Sequence, residues 1–391
     1  MIDSLSLRNL APLLVLVLLF GCAPSEAPND AAVSDDQTRE DVGDEVTDEP
    51  RAVMQTESFD FDVAGNTLAG LFDRPVDREA SATIIIVHGY GETNVVEGNW
   101  YNQLRSTFAR IGINTLIWDK PGCGPSGGEF NINQPVQSSA EEVNAAVQAL
   151  RDRNLPGTET IGLWGVSRAG WIVPLALAED PSIAFWISVS GTDGKENARY
   201  LLEENFRIEG RSEEETAVLI AEWQARVDTV WKNGTYQDYL DAAPNLSADP
   251  FMEFMGWSGN ASEQAFLADQ EKFRTGELLI DAETGLPVYI PDFPGLLASI
   301  DLPVLAIFGE QDTNVDWRST ADLYQTTLGA NPDAALSIKT FPNANHNLKP
   351  CQQCGVREMA AQSGNIPYAD GYYESMIEWL IAQGFGSNPS T

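Results

Sequence analysis

Side chains able to move a proton near neutral pH are sparse in this sequence, because only two of its 391 residues are histidines, His88 and His346. A matching nucleophile is Ser167, in the segment LWGVSRAGW, where an apolar run reaches Gly165 and helix-forming residues begin at once. A serine at such a junction lies beside the free N–H groups and the positive dipole end of a helix, which favour negative charge. The alternative role of Ser167 is to cap that helix.

A serine hydroxyl is a weak nucleophile unless a base removes its proton, and an acid usually orients that base. His346, in FPNANHNL, follows an apolar run and suits the role of base. Four carboxylates also follow apolar runs and are candidates for the acid: Asp193, Glu310, Asp312 and Asp316. The residue types therefore favour serine-based hydrolysis.

Short apolar runs alternate with amphipathic segments along most of the chain. TIIIVHG, INTLIWD, TIGLWGVS and IAFWISVS are apolar at successive positions, as strands are when helices cover both faces of a parallel sheet. The segments 100–110, 136–153 and 168–179 have the length of crossover helices, and the apolar runs resume at 302–310 and 336–342. FDFDV and TLAGLFD predict an antiparallel opening pair. The sequence predicts an α/β fold with a mostly parallel, doubly wound sheet.

Residues 195–299 interrupt this alternation with a helical, aromatic-rich segment. We expect it to form an α-helical cap, inserted after the sixth core strand and lying over the C-terminal edge of the sheet, where open α/β sheets bind ligands. Most of its aromatic residues would form the cap's own small core. The main core is predicted at 56–194 and 300–385.

The segment around Ser167 resembles the nucleophile elbow of the α/β-hydrolase superfamily, G-x-S-x-G, with Ala169 in place of the second glycine. GVSRAGWIVP and FRIEGRSEEE resemble a branch of bacterial serine hydrolases near serine aminopeptidases and dienelactone-hydrolase-like esterases. In this family the acid lies in a G-x-x-D segment after the seventh strand, and the histidine follows the last strand. The resemblance implies a catalytic triad of Ser167, Asp312 and His346 that requires no metal or organic cofactor.

Two further segments resemble loops of the same family. His88 lies in IIIVHGYGE, which has the H-G-x form of the oxyanion-hole loop. The resemblance implies that the backbone N–H groups of Tyr90 and Arg168 hold the developing alkoxide and that His88 is architectural; His88 as the base is the alternative. DKPGCGPSGG resembles the loop D-x-x-G-x-G-x-S after the fourth strand, to which we assign only a structural role.

The favoured function is hydrolysis of a carboxylic ester through an acyl-enzyme on Ser167, with a small-molecule ester or a peptide as substrate. One alternative is an aminopeptidase or amidase using the same triad, in which Glu203 or Glu204, in YLLEENF, pairs with the substrate's free amine. Adjacent glutamates of this kind can also form a solvated helix face. A second alternative is a catalytically inert hydrolase-fold lipoprotein that binds a partner. The sequence does not indicate an oligomeric state.

The N-terminus has the features of a bacterial lipoprotein. The apolar run at 10–20 would be roughly 16 Å long as a helix, too short for about 30 Å of hydrocarbon, and it suits a secretory signal peptide. It ends in LFGC, which resembles the lipobox, so residues 1–21 are predicted as signal peptide and Cys22 as the lipidated first mature residue. An ordinary signal peptide with a chance cysteine is the alternative.

Residues 22–55 are strongly acidic and hold almost no large apolar side chains, which predicts a disordered tether. Resemblance to Gram-negative lipoproteins implies anchoring in the outer membrane of the cell envelope, facing the periplasm, because Ala23 rather than Asp follows the cysteine. The formal net charge of −35 argues against nucleic-acid partners and against anionic lipid surfaces, so we expect contact with the membrane only through the lipid.

Three cysteines remain beyond Cys22. Cys351 and Cys354 form CQQC, and outside the cytoplasm a local disulfide is the favoured interpretation of this pair. A redox-active pair is the alternative, and a zinc site lacks a second cysteine pair. Cys123 stands alone in a glycine-rich loop.

Overall fold

The computed structural model describes residues 53–192, 197–256, 262–331, 334–362 and 366–388. The predicted signal peptide, Cys22, most of the predicted tether and the candidate acid Asp193 lie outside these residues. Within the described ranges, no helix combines the length and the apolar character that crossing a membrane requires.

The described strands form an eight-stranded central sheet and two short hairpins, β2–β3 and β9–β10. In chain order all of these strands are β1 (Met54–Ser58), β2 (Phe61–Val63), β3 (Asn66–Leu68), β4 (Gly70–Pro75), β5 (Ala82–Val87), β6 (Ile113–Trp118), β7 (Ile161–Val166), β8 (Phe185–Val189), β9 (Leu279–Ile280), β10 (Pro287–Val288), β11 (Val304–Gly309) and β12 (Ser337–Phe341). The sheet order is β1-β4-β6-β5-β7-β8-β11-β12, and β4 is antiparallel to both of its neighbours. The six strands β5, β6, β7, β8, β11 and β12 run parallel to one another. The strand order reverses between β5 and β7, and ligands bind at such switch points.

Helices cover both faces of this sheet and form the cap. They are α1 (Asn102–Arg110), α2 (Val136–Arg153), α3 (Ala169–Glu179), α4 (Asn197–Ile208), α5 (Glu213–Trp231), α6 (Tyr236–Asp241), α7 (Pro244–Ala248), α8 (Pro250–Phe254), α9 (Glu263–Thr275), α10 (Phe293–Ala298), α11 (Trp317–Thr326), α12 (Val356–Ala361) and α13 (Tyr372–Ala382), with a short 3-10 turn at Leu328–Ala330.

The strand residues alternate between two apolar cores. Ile85 and Val87 of β5 pack with side chains of α2, α3, α10 and α11, whereas Ile84 and Ile86 pack with α1 and α13. Because both faces are covered, β5, β6 and β11 are buried along their whole length. This explains why the strands appear in the sequence as continuous apolar runs rather than as alternating ones. The predicted doubly wound fold class is confirmed.

The helical cap follows β8, the sixth strand of the central sheet, and has a core of its own. Its buried aromatic side chains include Phe206, Trp223 and Tyr239. The same cluster contains Tyr90 and Val315, which lie on loops that follow β5 and β11. The cap therefore packs on the C-terminal edge of the sheet.

Three details differ from the sequence-based expectation. β1 begins at Met54, two residues before the predicted start of the core. The cap contains the short β9–β10 hairpin. This hairpin was not predicted, because strands of two residues are too brief to give a periodic pattern. α10, predicted as the end of the insertion, places Phe293 and Leu297 in the core of the central sheet, so its apolar face belongs to the main core.

A buried ion pair joins β4 to α1. The Arg105 guanidinium donates to both carboxylate oxygens of Asp73, at 2.7 and 2.9 Å, and the two side chains are at most 1% exposed. Thr56 and Thr115 also donate to this carboxylate, at 2.5 and 2.7 Å. The charges are thus compensated within the interior, and the loss of one partner would leave the other buried without compensation.

We expect Arg105→Leu to lower the free energy of unfolding by about 3–5 kcal/mol, because it leaves the Asp73 carboxylate buried without a countercharge. The matched control is Arg74→Leu, which removes a more exposed pair, Arg74–Glu57 at 3.0 Å, and should cost about 1 kcal/mol or less. Urea unfolding followed by tryptophan fluorescence measures both. Equal, small losses in the two variants would contradict the argument.

Candidate active site

Ser167 lies on the tight turn between β7 and α3. Its φ of +57° falls in the left-handed region, which is uncommon for a residue with a side chain. The turn is held by two bonds: the Ser167 N–H donates to the Val189 carbonyl at 2.9 Å, and the Ser167 carbonyl accepts from the Gly170 N–H at 2.8 Å. Ala169, at the position of the second glycine of the elbow pattern, is fully buried. The substitution therefore leaves the tight turn in place.

His346 connects Ser167 to Asp312. Its Nε2 lies 2.9 Å from Ser167 Oγ and its Nδ1 lies 2.7 Å from Asp312 Oδ2. Because an ionised carboxylate only accepts hydrogen bonds, Nδ1 carries the ring proton and Nε2 is left to accept from the hydroxyl. The three side chains are at most 2% exposed. The structure thus brings the three predicted triad residues into one hydrogen-bonded row.

The loop after β11 fixes Asp312. Its Oδ1 accepts from the N–H groups of Asn314 and Val315, at 2.8 and 2.9 Å, which leaves Oδ2 for the imidazole. Gly309, at the end of β11, allows the two loops to approach closely: a Cβ there would lie 2.3 Å from the Asn345 carbonyl oxygen. This close approach sets the acid beside the histidine.

The other candidate acids have different partners. The Glu310 carboxylate accepts from the Thr340 hydroxyl at 2.7 Å. Asp316 caps α11 by accepting from two backbone N–H groups of its first turn. Asp193 lies outside the described residues. Of the three candidate acids that the structure describes, Asp312 is the one in contact with His346.

The backbone N–H groups of Tyr90 and Arg168 lie on neighbouring loops, because β5 and β7 are adjacent in the sheet. A Cβ at Gly89 would lie 3.4 Å from the Ser167 Cβ, so the loop after β5 passes close to the nucleophile. Among the described residues, no acceptor takes up either N–H. Two free donors beside a nucleophile could hold an oxyanion.

His88 is buried and lines the same cavity as Ser167, but its ring bonds to the backbone. Its Nε2 lies 2.6 Å from the Trp118 carbonyl oxygen, so Nε2 is the donor. Burial, followed by the nearby charge of Lys120, lowers the pKa of His88 to about 3, and the ring is neutral at physiological pH. A neutral ring that supports the end of β6 fits the architectural role that the family resemblance implied.

The loop DKPGCGPSGG supports the loop after β5. The Asp119 carboxylate accepts from the N–H groups of Val95 and Val96, at 2.6 and 3.1 Å. Lys120 Nζ donates to the carbonyl oxygens of Gly89 and Gly91, both at 2.7 Å. Lys120 is not among the candidate residues predicted from the sequence. The signal that could have found it is a lone cation inside a glycine-rich segment.

Two small cavities lie on either side of His346. One, of about 40 Å³, is lined by Ser167, Lys120 and the loop after β5. The other, of about 50 Å³, has several aromatic side chains in its lining, among them Tyr101 and Tyr368. Their sizes indicate space for a few water molecules or a short acyl group rather than a long chain.

The two glutamates proposed for amine recognition do not line the cavity at Ser167. Glu203 lines a separate cavity of about 530 Å³ between the cap and α11, together with Tyr200 and Asp316. Glu204 pairs with Arg207 on the partly exposed side of α4. Recognition of an amine by either glutamate therefore stays a prediction, and the direction of α4, which sets their placement, was not readable from the sequence.

Cys351 and Cys354 are joined in a disulfide. The loop that they close is tied to both neighbouring segments. The Thr313 hydroxyl donates to the Cys354 carbonyl at 2.8 Å, and the Asn205 amide bridges the Thr313 carbonyl and the Val356 N–H, at 3.3 and 2.8 Å.

In the described part of the chain, no three His, Cys, Asp or Glu side chains form a group that could hold a metal ion.

Comparison with known proteins gives a family match, a related sequence and several similar solved structures. Residues 78–349, more than half of the chain, match the family described as "Serine aminopeptidase, S33". A Salmonella typhimurium protein named "Putative carboxymethylenebutenolidase" is 26% identical over 109 residues, which is 28% of this chain and 36% of that protein. The matched stretch therefore spans about a third of that relative's length.

Similar solved structures include two esterases. One is the esterase Pf2001 of Pyrococcus furiosus, with a TM-score of 0.48, 16% identity, and coverage of 84% of this chain and 90% of that one. The other is Est1E of Butyrivibrio proteoclasticus with ferulic acid bound, with a TM-score of 0.44, 18% identity, and coverage of 83% and 98%.

The neutral His88 predicts a pH dependence of stability. Its pKa is about 3 when folded and 6.5 by its ordinary value, so between these limits the unfolded chain binds the extra proton. This stabilising contribution is therefore complete above pH 6.5 and is lost as the pH falls toward 3, by up to about 1.4 kcal/mol per pH unit.

The variant His88→Asn keeps an N–H donor for Trp118 but cannot titrate. We expect the advantage of wild type over His88→Asn in the free energy of unfolding to shrink steadily between pH 7 and pH 4.5, as measured by urea unfolding. A difference that stays constant over this interval would show that His88 does not remain neutral in the folded protein.

Proposed function

The chain belongs to the serine aminopeptidase S33 family of α/β-hydrolases, and on that premise we propose that it hydrolyses carboxylic esters through an acyl-enzyme on Ser167. The observation that carries the proposal is the row Ser167–His346–Asp312, with heavy-atom distances of 2.9 and 2.7 Å. This arrangement suits proton transfer from the hydroxyl to the imidazole without rearrangement of the side chains.

In the first half-reaction, Ser167 Oγ attacks the ester carbonyl carbon while His346 Nε2 takes the hydroxyl proton. The imidazolium that forms is stabilised by the Asp312 carboxylate, which is itself held by two backbone N–H groups. His346 then gives the proton to the departing alkoxide, and an alcohol leaves. Breakage of the carbon–oxygen bond to the alcohol leaves the acyl group on Ser167.

In the second half-reaction, water takes the place of the alcohol. His346 removes a proton from the water, the hydroxide attacks the acyl carbonyl, and Ser167 leaves with the proton returned by the imidazole. The products are a carboxylic acid and the free enzyme. In both halves the negative oxygen would accept from the N–H groups of Tyr90 and Arg168, whose free state among the described residues supports this role.

A small acyl group is the substrate feature that fits best. The cavities beside His346 measure about 40 and 50 Å³ and are enclosed by aromatic side chains and by the loop after β5. A long acyl chain has no space there unless the cap moves. We therefore expect acetyl and propionyl esters to be better substrates than octanoyl esters.

Amide hydrolysis by the same triad is the second candidate. The family description supports it, as does the 530 Å³ cavity, whose carboxylates Glu203 and Asp316 could attract a cationic amine. Against it, the Glu203 carboxylate oxygens already lie 3.7 Å from a guanidinium nitrogen of Arg199 and 3.8 Å from one of Arg207. These two cations partly neutralise the charge of Glu203. Ester hydrolysis is therefore the primary proposal.

We expect purified wild type to be labelled by a fluorophosphonate probe and Ser167→Ala to remain unlabelled. With 4-nitrophenyl acetate, Ser167→Ala and His346→Ala should each lower kcat by about 10⁴-fold or more, and to a similar degree, because members of a triad act as a unit. Circular dichroism and thermal unfolding verify that the variants are folded. An unlabelled wild type, or labelling that persists in Ser167→Ala, would instead indicate an inert binding protein.

A substrate panel separates the two enzymatic candidates. The same preparations are assayed on acyl esters of increasing length and on amino-acid 4-nitroanilides, with Glu203→Gln as the matched variant. An esterase should prefer the esters and be indifferent to Glu203→Gln. Faster turnover of the anilides, with a raised KM in Glu203→Gln, would reverse the assignment.

We also propose that Cys22 is lipidated and anchors the protein in the outer membrane, facing the periplasm. The support is the LFGC segment at the end of the apolar run and the acidic composition of residues 23–50. Cys22→Ser should abolish metabolic labelling by palmitate and move the protein from the membrane to the soluble fraction of a Gram-negative host. Membrane retention of Cys22→Ser would contradict the proposal.

A further inference from the structure

Lys120 holds the loop that carries one of the proposed oxyanion donors. Its Nζ donates to the Gly89 and Gly91 carbonyl oxygens, each at 2.7 Å, and so spans Tyr90. The side chain is half-buried and lines the same cavity as Ser167. No other described residue donates a hydrogen bond to either carbonyl. Within the described ranges, the Lys120 ammonium is thus the one donor to these two carbonyl oxygens.

The geometry of a peptide unit links this anchor to the oxyanion donor. The Gly89 carbonyl and the Tyr90 N–H belong to one planar trans unit, in which the C=O and the N–H point in opposite directions. A cation bound at the carbonyl oxygen therefore fixes the plane that aims the N–H. It also polarises the amide, because hydrogen bonds in a chain strengthen one another, more so when one donor is charged.

We propose that Lys120 is a positioning residue for the oxyanion hole, which acts through the Gly89–Tyr90 peptide to orient and polarise the Tyr90 N–H. This inference rests on the proposed esterase function. Lys120 itself touches neither the nucleophile nor the histidine by any hydrogen bond in the structure. Its effect should therefore appear on the developing oxyanion and hardly at all on ground-state binding of the ester.

The surroundings keep this cation close to its titration point. Burial, followed by the charge of Arg168, lowers the pKa of Lys120 to about 7, while Glu142 and Cys123 oppose the shift. The titratable and charged groups around it are His88, Tyr90 and Glu92 on the loop after β5, Tyr101 before α1, Cys123 on its own loop, Glu142 on α2, Arg168 before α3, and His346. Below pH 7 the amine is charged and polarises the peptide. Above pH 7 it can still donate hydrogen bonds but loses the charge.

The first test compares Lys120→Met with Lys120→Arg in the full-length protein, on 4-nitrophenyl acetate. We expect Lys120→Met to lower kcat by about 10- to 100-fold, a part of the loss seen when an oxyanion donor is removed, with KM changed less than about threefold. The inhibition constant of phenylboronic acid, whose adduct carries a negative oxygen, should rise by a similar factor. Lys120→Arg, which retains a cation with several donors, should recover part of the loss.

The control is Lys232→Met, which removes an exposed lysine of the cap and should leave all three constants unchanged. A Lys120→Met protein that folds and keeps the wild-type kcat overturns the inference while leaving the esterase proposal intact. A loss of kcat/KM in Lys120→Met that comes from a raised KM alone, with kcat and the inhibition constant of phenylboronic acid unchanged, also overturns it. Absence of hydrolysis in wild type instead defeats the proposed function itself.

A second measurement decides the matter if Lys120→Met does not fold. The acyl-enzyme formed from ¹³C=O-labelled 4-nitrophenyl acetate is examined by isotope-edited infrared spectroscopy between pH 6 and pH 8.5. In wild type the acyl carbonyl band should move to higher wavenumber as Lys120 loses its charge near pH 7, whereas in Lys120→Arg it should stay fixed. A band that is constant in wild type, or that moves equally in both proteins, refutes the role of Lys120.

Discussion

The site depends on one constraint, the parallel pairing of β5, β6, β7, β8, β11 and β12 in the central sheet. Parallel strands present all their C-terminal ends at one edge, so the residues that follow β5, β7, β11 and β12 gather there although they are far apart in the chain. Ser167 and His346 are separated by 179 positions yet lie within hydrogen-bond distance. The covalent connections do not create this proximity; the order of the strands does.

Buried charge is managed differently at two depths of the molecule. Asp73 and Arg105 compensate each other completely beneath α1, where they are isolated from the site. Around the nucleophile no such matched pair forms: Lys120 and Arg168 lie near each other, and burial depresses the pKa of both cations. A cation near the nucleophile at low dielectric favours an adjacent oxyanion. The electrostatics of the core therefore serve stability, whereas those at the sheet edge suit reaction.

The cap closes over this edge and links several parts of the site. Tyr90 and Val315, from the loops of the proposed oxyanion hole and of the acid, are buried in the cap's own cluster, and Tyr200 of α4 donates to the Asp312 carbonyl at 2.9 Å. The cap and the active-site loops thus share one apolar core. A movement of the cap that admits substrate would act on the same loops that hold the triad.

Short, local patterns determined much of the outcome from the sequence alone. The continuous apolar runs predicted the buried strands, the amphipathic segment at Val136–Arg153 predicted α2 to the residue, and the glycine-flanked turn and the two histidines limited the chemistry to a few side chains. These features are local because strand burial, helix periodicity and turn conformation depend on neighbouring residues.

The tertiary structure decided which distant groups meet. Only the packing of the loops selected Asp312 by contact, sent Glu203 to a separate cavity, assigned α10 to the main core and brought the Lys120 amine to the Gly89 carbonyl. Such contacts depend on strand order and on the close approach of loops, neither of which leaves a periodic mark on the chain. The sequence could name the reactive side chains, but the sheet determined their partners.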